Sequence, residues 1–261
     1  MINDFDLDEA ARLTRELVTE MGQVAKDRFG ATQAQSKADG SIVTEADRMV
    51  ERIIRQRLEL KCPDHAVFGE EDGLGGPADS PYLWLIDPID GTNNFACGLP
   101  LWGVSLGLFH EGKPCQGALC MPCLGQTFWA ARGQGAYCNG KRLSVRRGEE
   151  LSPNDLLMVS APDIGYWDYS VPVKYRTTGC AAYSMALVAA GCAVGMVSNH
   201  WHFWDAGATM SLLSEAGAVM ADVHGKSLYD LNQWDYTTAG PFMIVASPEY
   251  HRLLAAHARA E

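Results

Sequence analysis

The sequence predicts an α/β protein. Segments with apolar residues at helical spacing and short runs that alternate or are apolar throughout interleave from one end to the other. With 47% hydrophobic residues in 261, the chain is also long enough to bury a substantial core. Ala10, Leu13, Leu17, Met21 and Val24 mark a first amphipathic helix between Leu7 and Phe29, stopped by Gly30. A polar stretch follows, and Thr44 opens a second helix whose inner face carries Val50, Ile53, Ile54 and Leu58. The short run AVFG then ends in Glu70 and Glu71, before a Gly-rich segment, DGLGGPADSP, that reads as a loop.

From Tyr82 the pattern becomes that of a sheet: YLWLID, then VSLGLF and QGALCM about the turn HEGK, then TFWAARGQGAYCNGKRLSV with Asn139 and Gly140 as a hairpin turn. Beyond it come a strand LLMVSAP, a helix CAAYSMALVAAG, a strand AVGMVS and a helix DAGATMSLLSEAG. The strands AVMAD and FMIVAS follow, then a last helix opened by Ser247 and Pro248. With neither an internal repeat nor a long linker, residues 1–261 read as a single domain. Its halves, about 1–150 and 151–261, share one core.

A formal net charge of −11 argues against nucleic acid as the main partner, since phosphate backbones require a basic footprint. The acidic start MINDFDLDEA does not read as a secretion signal, and no apolar run approaches the length of a membrane span. Eight cysteines scattered through apolar segments predict reduced thiols in a cytoplasm. Cys120 and Cys123 form a C-x-x-C without a second ligand pair, so buried or loop thiols are the simpler reading.

The chemistry is concentrated in Asp87-Pro88-Ile89-Asp90-Gly91-Thr92, directly after an apolar strand. Pro88 and Gly91 are turn residues, and a turn there projects Asp87 and Asp90 together, with the Gly91 and Thr92 amides pointing into the same space if a helix begins. Carboxylates and a carbonyl such as that of Ile89 are hard ligands suited to Mg²⁺, which accepts substrate phosphate as a further ligand. The simpler reading is that both aspartates cap a turn. Two further acidic elements weigh against it: Glu70 after its short strand, and Asp205 at the opening of a helix, where it could be an N-cap. Thr44 and Asp47 have capping-box spacing, while an Asp in a first helical turn can also orient a hydroxyl or a water.

These segments, SIVTEAD at 41–47, GEE at 69–71, WLIDPIDGTNNF at 84–95, GCAA at 179–182 and WDAGA at 204–208, resemble the inositol monophosphatase family over nearly the whole chain. The resemblance implies an alternating α/β/α/β/α sandwich, a homodimer, and an Mg²⁺-dependent phosphomonoesterase that uses two or three ions on a small phosphorylated polyol. By the same resemblance, Glu70, Asp87 and the Ile89 carbonyl hold a first metal, and Asp87, Asp90 and Asp205 a second. Glu70 and Thr92, the latter held by Asp47, orient the attacking water. Asp90, Gly91, Thr92, Cys180, Ala181, Ser198 and Asp205 meet phosphate or substrate.

Two positions depart from the pattern. Ser198 stands where many inositol-phosphate-preferring members have Glu, and Ser41 gives a wording closer to histidinol-phosphate phosphatases. Sugar and nucleotide bisphosphate phosphatases remain alternatives, as does a non-catalytic regulator on the same fold. The segment from Asn199 to Trp204 is expected to line the substrate mouth. Within it, His200 and His202 read either as a transition-metal pair or as solvent-facing neighbours, and Trp201 and Trp204 either as packing or as stacking surfaces.

Overall fold

The computed structural model describes residues 7–30, 34–37, 40–160 and 167–258. Helix α1 (Leu7–Lys26) leads through the two-stranded β1 (Gln35–Ser36) and β2 (Ile42–Val43) to α2 (Glu45–Lys61). Thr44 is the α2 N-cap and forms a full capping box with Asp47. An eight-stranded sheet follows, from β3 (Ala66–Gly69), β4 (Gly73–Gly75), β5 (Tyr82–Asp90), β6 (Gly103–His110), β7 (Lys113–Met121), β8 (Gln126–Ala131), β9 (Gly135–Cys138) and β10 (Lys141–Arg142). The six-residue α3 (Thr92–Cys97) follows β5 directly after Gly91. The order across the sheet is β10-β9-β8-β7-β6-β5-β3-β4, antiparallel except for the parallel β3–β5 pair.

The second sheet has the order β12-β11-β13-β15-β14, built from β11 (Leu156–Val159), β12 (Lys174–Arg176), β13 (Gly195–Ser198), β14 (Val219–Asp222) and β15 (Met243–Ala246). Helices α4 (Ala181–Ala189) and α5 (Phe203–Ala216) lie between the sheets, and α6 (Pro248–Ala255) covers the far side. The layers are therefore α1 and α2, sheet, α4 and α5, sheet, α6. Three apolar clusters fill the spaces between them. Leu17, Met21, Val50 and Ile54 pack against Trp84 and Leu106; Met185, Met210 and Leu213 pack against Leu85 and Leu119; Val197 and Ile244 pack against Tyr250 and Leu254.

Contact between α5 and the first sheet is close enough to exclude side chains. A Cβ on Gly107 would stand 2.9 Å from the Ala208 nitrogen and one on Gly117 2.6 Å from the Ala208 Cα, while one on Gly207 would be 2.8 Å from the Leu85 Cβ. Helix backbone thus meets strand backbone at β6 and β7, which fixes the height of the N-terminal half of α5 above the sheet.

The structure differs from the sequence-based expectations at three places. The Gly-rich segment is partly ordered as β4, because the chain turns back to pair with β3. Strand β12 carries Lys174, Tyr175 and Arg176 and has no apolar alternation; it is a half-exposed edge strand that follows β11 in parallel. Helix α5 begins at Phe203 with His202 as N-cap, so Asp205 is the N3 residue of a capping box and not an N-cap. Buried Phe203 draws the first turn into the core. Ala161 and Pro162, at the end of the predicted LLMVSAP strand, lie outside the described residues, as do residues 1–6.

Candidate active site

The β3–β5 register brings the first two acidic elements together. Gly69 lies opposite Ile86, and the Glu70 amide donates to the Ile86 carbonyl at 3.2 Å, so Glu70 leaves the sheet beside Asp87. Along β5, Asp87 and Asp90 are three apart and would face opposite sides of a regular strand. The β5–β6 pairing, however, steps from Asp87 opposite Ser105 to Asp90 opposite Gly103, three residues on β5 against two on β6. This bulge reverses the side-chain phase and turns both carboxylates the same way, with Pro88 in the bulge where a missing N–H costs little. Gly91 then needs a left-handed φ of 89°, and a Cβ there would be 2.9 Å from the Leu101 carbonyl oxygen.

Asp90 reaches across to α4. The Ala181 amide donates to its Oδ1 at 3.0 Å, and both the Ala182 amide and, at 3.2 Å, the Cys180 thiol donate to its Oδ2. Cys180, the α4 N-cap, gives the helix no side-chain cap; Asp90 satisfies those first amides instead, and its charge suits the positive end of the helix. From α5, Asp205 accepts the His202 amide at 2.9 Å. Asp47, fully buried, accepts the Thr44 amide at 2.8 Å and the Thr44 hydroxyl at 2.5 Å on Oδ2, and the Thr92 hydroxyl at 3.1 Å on Oδ1. One Asp47 oxygen thus caps α2 and the other accepts from Thr92, whose Oγ1 is also 3.0 Å from the Ile89 carbonyl oxygen.

Electrostatics give the group its character. Burial, followed by the charges of Glu70, Asp90 and Asp205, holds the Asp87 carboxyl well above its usual range. Asp205 is raised likewise by burial and then by Asp90, and Asp90 is raised by burial against the pull of the α4 amides. Burial lifts Glu70 to about 7 even though Lys37 opposes the shift. Asp87 Oδ1 is buried without a hydrogen-bond partner. An orphaned carboxylate oxygen among mutually repelling carboxylates is a donor set that fits a hard divalent cation. Among the described residues, no three His, Cys, Asp or Glu side chains are gathered closely enough to enclose an ion. Lys37 holds Glu70 at 3.0 Å and Glu71 at 2.6 Å, while backbone amides hold Asp90 and Asp205.

A cavity of about 330 Å³ opens beside these groups, lined by Asp90, Asn93, Ser160, Cys180, His200 and Asp205 among others. Ser198 is fully buried behind it: its Oγ contacts Ser160 Oγ, and it accepts the His200 amide at 3.1 Å. Of the aromatic segment, only His200 reaches this cavity. Trp201 is a core residue, 1% exposed, with its Nε1 donating to the Pro241 carbonyl at 2.8 Å, and Trp204 stacks on His202 at 4.2 Å and packs near Phe68. The substrate-mouth expectation is corrected for both tryptophans: neither lines the cavity, because Trp201 is drawn into the core and Trp204 packs on His202 and Phe68. A larger groove of about 930 Å³ runs along α1 and the β7–β8 hairpin, with Arg12, Arg15 and Thr127 in its lining, away from the carboxylates. Sequence reasoning missed Lys37 and Asn94. Asn94 ties the turn to both neighbouring loops by donating to Leu101 and Thr178 carbonyls at 2.6 and 2.8 Å. Lys37 sits in a polar stretch with no pattern, and Asn94, although inside the 84–95 motif, has no charge or spacing that marks it out.

Residues 6–261 match the model of the inositol monophosphatase family. The chain belongs to this family. It is 36% identical over 211 residues to a fructose-1,6-bisphosphatase/inositol-1-monophosphatase of Aquifex aeolicus, covering 76% of this chain and 80% of that protein. A histidinol-phosphatase of Chlorobaculum parvum is 34% identical over 224 residues, 82% of this chain and 86% of the other. Among solved structures, the Thermotoga maritima IMPase superposes with a TM-score of 0.84 at 28% identity, over 95% of this chain and 96% of that one. Membership makes the chain a phosphoric monoester hydrolase on a mixed α/β fold.

Proposed function

We propose that the chain hydrolyses the phosphate monoester of a small polyol and depends on divalent cations, Mg²⁺ foremost. Glu70, Asp87, the Ile89 carbonyl, Asp90 and Asp205 would hold them. The observation that carries this reading is the orphaned Asp87 Oδ1 within a set of buried carboxylates that raise one another's pKa. Such a set would repel a phosphate dianion unless cations offset its charge. When bound, two or three Mg²⁺ ions would supply that charge, make water more acidic and stabilise the leaving alkoxide.

The chain's own residues then have distinct tasks. Glu70, raised to about 7 in the absence of metal, is a proton acceptor of suitable strength near neutral pH, and neighbouring cations would bring it back down. Asp47 accepts the hydrogen bond of the Thr92 hydroxyl, which leaves Thr92 lone pairs to accept from the attacking water. The Gly91 and Thr92 amides meet the phosphate. Cys180 and Ala181 line the cavity for the alcohol, with Ser198 supporting it from behind through Ser160. A homodimer in a reducing compartment completes the proposal; its support is the family and eight cysteines that are all free thiols.

The test is phosphate release from inositol 1-phosphate, histidinol phosphate, fructose 1,6-bisphosphate and 3′-phosphoadenosine 5′-phosphate, with and without Mg²⁺. Metal-dependent release from inositol 1-phosphate in preference to the others is the expected result. Preference for histidinol phosphate would replace the polyol by an amino alcohol, and no release from any of them would move the protein to a binding role.

A further inference from the structure

Behind Glu70 and Glu71 lies a charged group that neither ligates nor faces the cavity. Glu51, on the inner face of α2, is fully buried, yet its carboxylate is saturated. The Glu71 amide donates to Oε2 at 2.9 Å, the Asp72 amide to Oε1 at 3.0 Å, and Arg55 Nε to Oε1 at 2.8 Å. Arg55, one helical turn on, extends the clamp: its guanidinium donates to the Val67 carbonyl at 3.4 Å and to the Gly73 carbonyl. One carboxylate and one guanidinium thus grip both strands of the β3–β4 hairpin and the two amides of its turn. The carboxylate also explains Gly69, since a Cβ there would be 2.7 Å from Glu51 Oε2 and nearer still to its other atoms.

Burying a carboxylate is strongly unfavourable unless hydrogen bonds and an opposite charge offset the lost hydration. Here each of those partners belongs to the hairpin carrying Glu70 or to the adjacent turn of α2. We infer that Glu51, with Arg55, is a positioning residue that sets the turn after β3 in the metal-free chain, so that Glu70 is already held beside Asp87 when a cation arrives. This rests on the proposed cation site. The energetic logic is preorganisation: a turn ordered beforehand removes the entropy cost of ordering it on binding.

The experiment combines two measurements. Mg²⁺ binding to Glu51→Gln and to the unaltered protein is followed by titration calorimetry, alongside the Mg²⁺ dependence of phosphate release. The expected result is a dissociation constant weakened by roughly 10–100-fold, as for other residues that orient ligands from behind, with kcat recovered at saturating Mg²⁺ and the substrate KM unchanged there. A folded Glu51→Gln protein that binds Mg²⁺ as tightly as the original would overturn the inference. Hydrogen exchange of the Glu71 and Asp72 amides, read in the unaltered protein without metal, decides the matter if the variant does not fold. Protection comparable to the β3 amides supports the clamp, and exchange at the rate of an open loop sinks it. If the unaltered protein fails to bind Mg²⁺, the phosphatase reading falls, while the exchange measurement still judges the clamp.

Discussion

Asp90 joins two layers of the molecule, since the strand that carries it ends on the amides that open α4. In Asp90→Asn, one oxygen still accepts an α4 amide while the new NH₂ group faces donors, and a unit of negative charge is lost from the cation site. The variant is expected to fold and to release no phosphate, as circular dichroism and a phosphate assay would show; retained turnover would remove Asp90 from the site. Thr92→Val keeps the shape of the side chain but deletes the hydroxyl held by Asp47. Its kcat is expected to fall about 10²–10⁴-fold, the usual range for a lost proton-orienting group, with little change in melting temperature.

At the scale of elements, α5 owes its placement to absent side chains. Gly107→Ala puts a methyl group into the Gly207–Ala208 backbone, so the helix or the β6 strand must move. Overpacking of this kind costs about 1–3 kcal/mol, and in a chain of this size each kcal/mol lowers the melting temperature by about 2–4 °C. Because Asp205 sits in the first turn of the displaced helix, the same variant is expected to bind Mg²⁺ more weakly, measurable by calorimetry. A variant that lost stability with unaltered affinity would separate the packing of α5 from the site. The β5 bulge is the counterpart in the sheet: it costs one ladder position and brings Asp87 and Asp90 to one side.

For the molecule as a whole, the buried carboxylates link stability to pH and metal. Glu70 is raised from 4.5 to about 7, and Asp87 and Asp205 are raised well above their ordinary values. The folded state therefore holds protons that the unfolded chain has already released, so metal-free stability is greatest below about 4.5 with respect to Glu70 and is lost as pH rises through about 7. Thermal melts without metal should show this decline. Added Mg²⁺ should reverse it above pH 7, by about 2.7 kcal/mol at a hundredfold excess over the dissociation constant. A metal-free melting temperature that rises steadily from pH 4.5 to 7.5 would contradict the carboxylate cluster. We also infer that residues 1–261 unfold as one domain, with the halves meeting near residue 150 through the α4 and α5 layer; a single calorimetric transition is the expected signature.

What the sequence determined by itself was local. Thr44, Gly91, Asn139-Gly140 and Ser247-Pro248 act through their own backbone preferences and nearest hydrogen bonds, so the caps and turns were legible as written. The acidic motifs that carry Glu70, Asp87, Asp90 and Asp205, and their order along the chain, were likewise legible, and they are what the proposed cation site rests on. Tertiary structure alone decided the rest. Whether Asp87 and Asp90 share a side depends on one extra residue against β6, and the depth of Trp201 depends on its bond to Pro241. The start of α5 at Phe203 depends on burial of that ring, and the roles of Lys37, Glu51 and Asn94 depend on partners distant in the chain. Each of these follows from desolvation and contact between remote segments, which no local pattern encodes.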